Sequence, residues 1–164
     1  MTHPSVSLVG SFRQHYAQVV HAAEIFAAAG IAIRSPAVSR IVNPGEEYPR
    51  FESDPPAFLD HHIQAATFEK IFSSDFVYVV TPGGYIGRTT SYELGRVHER
   101  GIPVYFSEPP KDLPIEIHAG SVLDPQRLAR LVTGPRTARR DQAMMALPES
   151  RWSSSPSATT GSTC

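Results

Sequence analysis

Short apolar runs alternate along this chain with longer stretches whose apolar positions recur at helical spacing. Val6-Ser7-Leu8-Val9-Gly10 reads as a buried strand. Residues 16–29 are alanine-rich with a helical apolar period, and Gly30 suits the helix end. Residues 31–34 form a short second strand, and 36–56 a long polar loop containing Asn43-Pro44-Gly45. A second helix is predicted over 57–72. Phe76-Val77-Tyr78-Val79-Val80 is the clearest strand, and Thr81-Pro82-Gly83-Gly84 breaks it. Residues 90–100 predict a third helix stopped by Gly101, and 103–106 a further strand. A last helix is predicted over 124–131, with Asp124 as N-cap and Pro125 as first helical residue.

Strands alternating with helices predict a parallel sheet covered on both faces: an α/β, Rossmann-like, doubly wound three-layer sandwich. Ligands of such sheets bind in the crevice at the carboxyl ends of the strands. Two segments therefore matter most, Gly10-Ser11-Phe12-Arg13 after the first strand and residues 81–93 after the Phe76-to-Val80 strand.

Composition narrows the function classes. The chain has 164 residues, which suits one domain, here 1–133. Residues 134–164 are rich in Arg, then Ser, Thr and Pro, and are expected to be a mostly disordered tail, with Met144, Met145 and Leu147 as candidates to dock. A formal net charge of −1 argues against a nucleic-acid polymer or a membrane surface as partner. The single cysteine, Cys164, excludes an intrachain disulfide. No leader pattern or spanning apolar run is evident, so a cytoplasmic protein is expected.

In the second segment, Gly83, Gly84 and Gly87 permit close approach of backbone to a ligand. Thr89, Thr90 and Ser91 are expected to open the third helix, whose free N–H groups favour an anion or a polar sugar. Glu93 falls in the expected first turn, where a carboxylate can attack an anomeric carbon or stabilise an oxocarbenium ion. The same spacing, Thr90-x-x-Glu93, is that of a capping box, in which Glu93 only satisfies a backbone N–H. In the first segment, Ser11 and Arg13 suit a phosphate or carboxylate, although for that pair alone a strand-end turn with a solvated Arg is the commoner arrangement. Tyr85 and Tyr48 are candidates to stack on a base. Asp60-His61-His62 is not read as a metal site, because adjacent helical residues point about 100° apart and no third ligand is suitably spaced. Asp75 reads as a turn or cap residue and His98 as structural. No cofactor is expected.

Gly10-Ser11-Phe12-Arg13, the Ser74-Asp75-Phe76-Val77-Tyr78-Val79-Val80 strand, the Gly-rich loop and Tyr92-Glu93-Leu94-Gly95 together resemble the nucleoside 2-deoxyribosyltransferase-like superfamily. That superfamily includes the nucleoside 5′-monophosphate N-glycosidases. The resemblance covers about residues 5–107, most of the predicted domain. It implies a flavodoxin-like sheet, a homodimer or larger assembly, and a nucleoside or nucleotide substrate. Glu93 would be the nucleophile, forming a glycosyl-enzyme ester that water or a second base resolves, and Ser11 and Arg13 would lie at a 5′-phosphate. Three helpers depart from the family pattern. Counting back eight residues from Asp75, the family's Asp is Thr67, for which Glu69, Asp60 and His61 are possible substitutes. The Tyr that bonds the nucleophile is Ser7, and the Ser or Asp six residues before it is Gly87.

Cleavage or exchange of an N-glycosidic bond is the leading expectation. The alternatives are a nucleotide-binding sensor or partner protein with weak or no turnover, and a lysine-decarboxylase-like phosphoribohydrolase whose PGGxGTxxE loop residues 82–93 partly echo.

Overall fold

The computed structural model describes residues 3–36, 41–43, 45–46, 50–111 and 113–134. The expected helices and strands are present within it. Strands β1 (Ser5–Gly10), β2 (Ala32–Ser35), β3 (Phe76–Val80) and β4 (Val104–Phe106) pair in parallel in the order β2-β1-β3-β4. A fifth position is reduced to one parallel bridge between Phe106 and Val122. That order is the flavodoxin-like 2-1-3-4-5 arrangement with a vestigial last strand.

Strand alternation sends successive β1 and β3 side chains to opposite faces, and each face is covered by a pair of helices. On one face, α1 (Phe12–Ala28) and α4 (Pro125–Thr133) place Val19, Phe26 and Leu128 against Val6, Leu8 and Tyr78. The Tyr78 hydroxyl, fully buried there, donates to the Leu123 carbonyl at 3.0 Å. On the other face, α2 (Asp60–Phe72) and α3 (Arg88–Glu99) place Phe68, Ile71, Leu94 and Val97 against Val9, Val77 and Val79. The result is the three-layer sandwich expected from the alternation.

Helix starts differ from the sequence reading in ways that matter for the site. Helix α1 begins at Phe12, not residue 16: Ser11 is its extended N-cap, and an irregular turn at His15 (φ −130°, ψ 29°) interrupts the first turns. Gly10 to Arg13 is thus a strand end running directly into a helix, not a free turn. Helix α3 begins at Arg88 with Gly87 as N-cap, so Thr90 is its third residue and Glu93 its sixth. The capping box is therefore not formed, because Thr90 is already helical. Helix α2 begins at Asp60 rather than 57. Helix α4 starts as read, with the Asp124 carboxylate accepting from Arg127 N at 2.8 Å.

Part of the long loop is ordered by its own contacts: Ile41 and Phe51 form an antiparallel bridge, and Val42 N donates to Arg50 O. Glu47, Tyr48 and the tail beyond Gly134, with Met144, Met145, Leu147 and Cys164, lie outside the described residues. Among the described residues no helix is long and apolar enough to cross a membrane.

Candidate functional site

The chain leaves β1 toward β2 on one side and returns to β3 on the other, so the carboxyl ends of β1 and β3 diverge at the topological switch point. A cavity of about 380 Å³ opens there, within the range of small-molecule sites. Gly10, Ser11, Phe12 and Arg13 line it from the β1–α1 junction. Tyr85, Gly87, Arg88, Thr89, Thr90 and Glu93 line it from the β3–α3 junction. Two segments about seventy residues apart in sequence thus meet in one cavity, as the sheet rule required. Gly10 is needed for this convergence: a Cβ there would lie 2.9 Å from the Val80 carbonyl oxygen, closer than the adjacent strand allows.

Three of the sequence candidates lie elsewhere. Gly83 and Gly84 do not line the cavity. They form a tight 3-10 turn (Pro82–Gly84) that docks the segment after β4. Gly83 N donates to Glu108 Oε2 at 2.9 Å, and Lys111 N to Gly84 O at 2.8 Å. Gly84 combines a φ of 79° with a backbone approach so close that a Cβ would lie 2.7 Å from Pro109 O. Ser91 is exposed and donates back to Gly87 O. It is about 100° round the helix from Thr90, which shares the inner face with Glu93.

Glu93 is 7% exposed. Its Oε1 accepts from Gln64 Nε2 of α2 at 3.2 Å. Burial pushes its carboxyl from the usual 4.5 up to about 7, against the smaller lowering effect of the Gln64 hydrogen bond. A carboxylate so placed titrates near neutrality, as groups at functional sites often do. Thr90, 3% exposed, lines the cavity beside it. Tyr85 stands at the cavity edge, its ring edge-on to His15 with 6.1 Å between centroids.

Several lining residues escaped the sequence reading: Gln64, Arg50, Asp54, Lys70 and Arg88. Arg50 is held by Asp60 at 2.7 Å and donates to the Phe58 carbonyl at 2.8 Å, tying the loop to the start of α2. Asp54 accepts from Phe51 N at 2.7 Å. Arg13 and Arg88 stand in the first turns of α1 and α3, and neither turn contains an acidic residue. Among the described residues neither guanidinium has a hydrogen-bond or ion-pair partner. The signal for Gln64 was its spacing: residues 60, 63, 64, 67 and 71 form one helical stripe, and a polar residue on a stripe that also buries Ile71 calls for a partner.

The departures from the family pattern now have positions. Thr67 lines the cavity, as does Asp60, but Asp60 is engaged with Arg50. Glu69 and His61 lie outside it, beside a shallow groove on the outer face of α2 and α3. Ser7 is buried and shares a 2.7 Å hydrogen bond with Ser74, with no link to Glu93. Asp75 accepts from Ser5 N and Ser5 Oγ, each at 2.7 Å, and so is a turn residue. The His61 and His62 rings meet, 4.0 Å apart, instead of diverging, because His62 Nδ1 turns back to accept from Leu59 N. Among the described residues no three His, Cys, Asp or Glu side chains are grouped as metal ligands.

No family model and no curated protein matches the chain. A solved structure described as the crystal structure of conserved protein from Enterococcus faecalis V583 is similar over 64% of this chain, with 19% identity and a TM-score of 0.49. The match spans 63% of that structure's own length. The strand order, not this likeness, carries the fold assignment.

Proposed function

We propose that this protein cleaves or exchanges the N-glycosidic bond of a nucleoside or nucleoside 5′-monophosphate, with Glu93 as nucleophile. The observation that carries the reading is the buried carboxylate of Glu93 in the wall of the cavity between β1 and β3. A Glu93 oxygen forms a bond to the anomeric carbon as the bond from that carbon to the base nitrogen breaks. The base leaves with the bonding pair and takes up a proton. Water, or a second base, then attacks the anomeric carbon and gives up a proton, balancing the one taken by the first base, and Glu93 departs as carboxylate. The positive charge that develops on the sugar in each step favours a nearby carboxylate.

The surroundings of Glu93 support a phosphorylated substrate. A cation at a helix N-terminus opposes the helix dipole, and here two helix starts each carry an Arg without an acidic neighbour in the first turn. A 5′-phosphate between Arg13, the Ser11 hydroxyl and the first N–H groups of α3 relieves both. Phe12, Tyr85 and Phe51 offer aromatic surface for the base. The homodimer or larger assembly and the cytoplasmic setting belong to the same reading.

A specific observation favours a second reading, a nucleotide-binding protein with little turnover: Thr67, which cannot supply a proton as Asp does, lines the cavity at the position of the family's acid. The phosphoribohydrolase alternative is weaker, because the glycines of its loop, Gly83 and Gly84, do not line the cavity. Incubation with a panel of nucleosides and 5′-monophosphates, followed by chromatography for free base, decides between the first two. Release of base supports the enzyme, and tight binding without release supports the binding protein.

A further inference from the structure

Among the described residues no cation lies against Glu93. Among the described residues its hydrogen-bond partner is the Gln64 amide, at 3.2 Å. Gln64 is one helical turn beyond Asp60, on the same face of α2. Asp60 in turn is clamped by Arg50 at 2.7 Å, so the face that carries Gln64 is anchored to the loop at the cavity mouth. We infer that Gln64 is the positioning residue of the nucleophile: it holds Oε1 of Glu93 and leaves Oε2 to face the anomeric carbon. This inference rests on the proposed N-glycosidic chemistry.

The choice of an amide has a chemical reason. A buried carboxylate needs a donor to fix its plane, and rotation about its last torsion is otherwise broad. A guanidinium or ammonium in contact would fix it too, but would stabilise the anion strongly and blunt its attack. The Gln64 amide donates without a charge, so the carboxylate is oriented while remaining basic enough to attack. Gln64 thereby does the work that the family assigns to a strand-one Tyr, a position held here by Ser7, which is committed to Ser74. The other charged groups facing the cavity are Arg13 from α1, Arg88 from α3, Asp60 and Lys70 from α2, and Arg50 and Asp54 from the loop. None of them is within ion-pair distance of Glu93.

The test compares wild type with Gln64→Ala and Gln64→Lys, each checked for folding by thermal melting. Two readouts are taken: the pH profile of base release from a 5′-monophosphate, and the titration of the Glu93 side-chain carboxyl by carbon NMR, with its signal identified by its loss in Glu93→Gln. Gln64→Ala should lower kcat roughly ten- to a hundredfold with KM little changed. It should move the Glu93 titration and the ionisation limb of the rate profile to higher pH, because the lost hydrogen bond favoured the charged form. Gln64→Lys should move both to lower pH and also reduce kcat. Shifts in opposite directions are not produced by a merely structural role. A folded, active Gln64→Ala protein with unchanged titration and unchanged kcat overturns the inference. Wild-type protein that releases no base, while its Glu93 titration shifts as expected in the variants, overturns instead the reading on which the inference rests.

Discussion

One residue, Ser11, separates β1 from α1, whereas seven separate β3 from α3. The short junction lines the cavity throughout, from Gly10 to Arg13. The long one divides: its first half, Pro82–Gly84, holds the segment after β4, while in its second half Tyr85 and Gly87 line the cavity and Ile86 packs on the core under α2 and α3. Glycine content and function are therefore uncoupled within a single loop. The close pair Gly83-Gly84 serves the scaffold, while Gly87, with a Tyr85 ring and the Thr90 hydroxyl about 3.8–3.9 Å from where its Cβ would be, serves the site. Position relative to the strand end, not glycine itself, decides which part meets ligand.

The largest effect outside turnover is expected at Glu93 itself. Between pH 4.5 and about 7 the folded protein keeps a proton on Glu93 that the unfolded chain has released. Stability should therefore fall as pH rises across that window and level off above it. Glu93→Gln removes this loss. The variant should gain stability over wild type at pH 8, by at most about 3 kcal/mol, and show little difference below pH 4.5. Urea unfolding at both pH values measures the gap; an equal gap at both would show that Glu93 is not a buried titrating carboxyl.

Next in size, Arg13→Ala should weaken binding of a 5′-monophosphate by about ten- to a hundredfold, the worth of a charge-assisted hydrogen bond, and nucleoside binding little. Calorimetric titration with both ligands is the check. Equal losses would mean that the β1–α1 junction shapes the cavity without reading phosphate, and tighter binding of the plain nucleoside by wild type would point to the deoxyribosyltransferase branch.

The division of the long junction is sharpened by two glycine variants. Gly84→Ala meets both a left-handed φ and a 2.7 Å contact with Pro109 O, and should cost about 2–3 kcal/mol. Gly83→Ala meets only the φ of 64°, with nothing within 4 Å, and should cost about 1 kcal/mol. Neither should alter ligand affinity in the folded protein. A Gly83→Ala variant of unchanged stability that lost ligand affinity would return this half of the loop to the site. The smallest effect is expected from ending the chain after Gly134: the low-complexity tail should leave the melting temperature unchanged, and a marked drop would reveal docking of the stretch around Met144.

The sheet was legible because β3 is an unbroken apolar run matching the expected residues 76–80, and because the shorter strands fall between helical stretches. The helix starts were less so. At α1, a Gly-Ser pair after a strand resembles a turn, and the irregular His15 hides a helix already under way. At α3, Thr90 and Glu93 have capping-box spacing, but Gly87 takes the N-cap and turns both side chains inward. Half of the cavity wall was visible because strand ends announce themselves. The α2 wall was visible only in part: the resemblance singled out Thr67 and Asp60, but Gln64 and Lys70 look like ordinary polar positions until a neighbouring helix places Glu93 opposite that face. Arg50 and Asp54 belong to a loop whose contacts depend on the folded surroundings.

In the proposed chemistry Glu93 is the nucleophile at the meeting point of the two junctions. The decisive measurement of this role is the rate of free-base release from a panel of nucleosides and 5′-monophosphates, for wild type and a folded Glu93→Gln variant at pH 8. Release by wild type and a loss of roughly a thousandfold or more in the variant is the predicted result. Release by the variant at a rate near that of wild type would rule out a nucleophilic Glu93 and leave it a structural carboxyl.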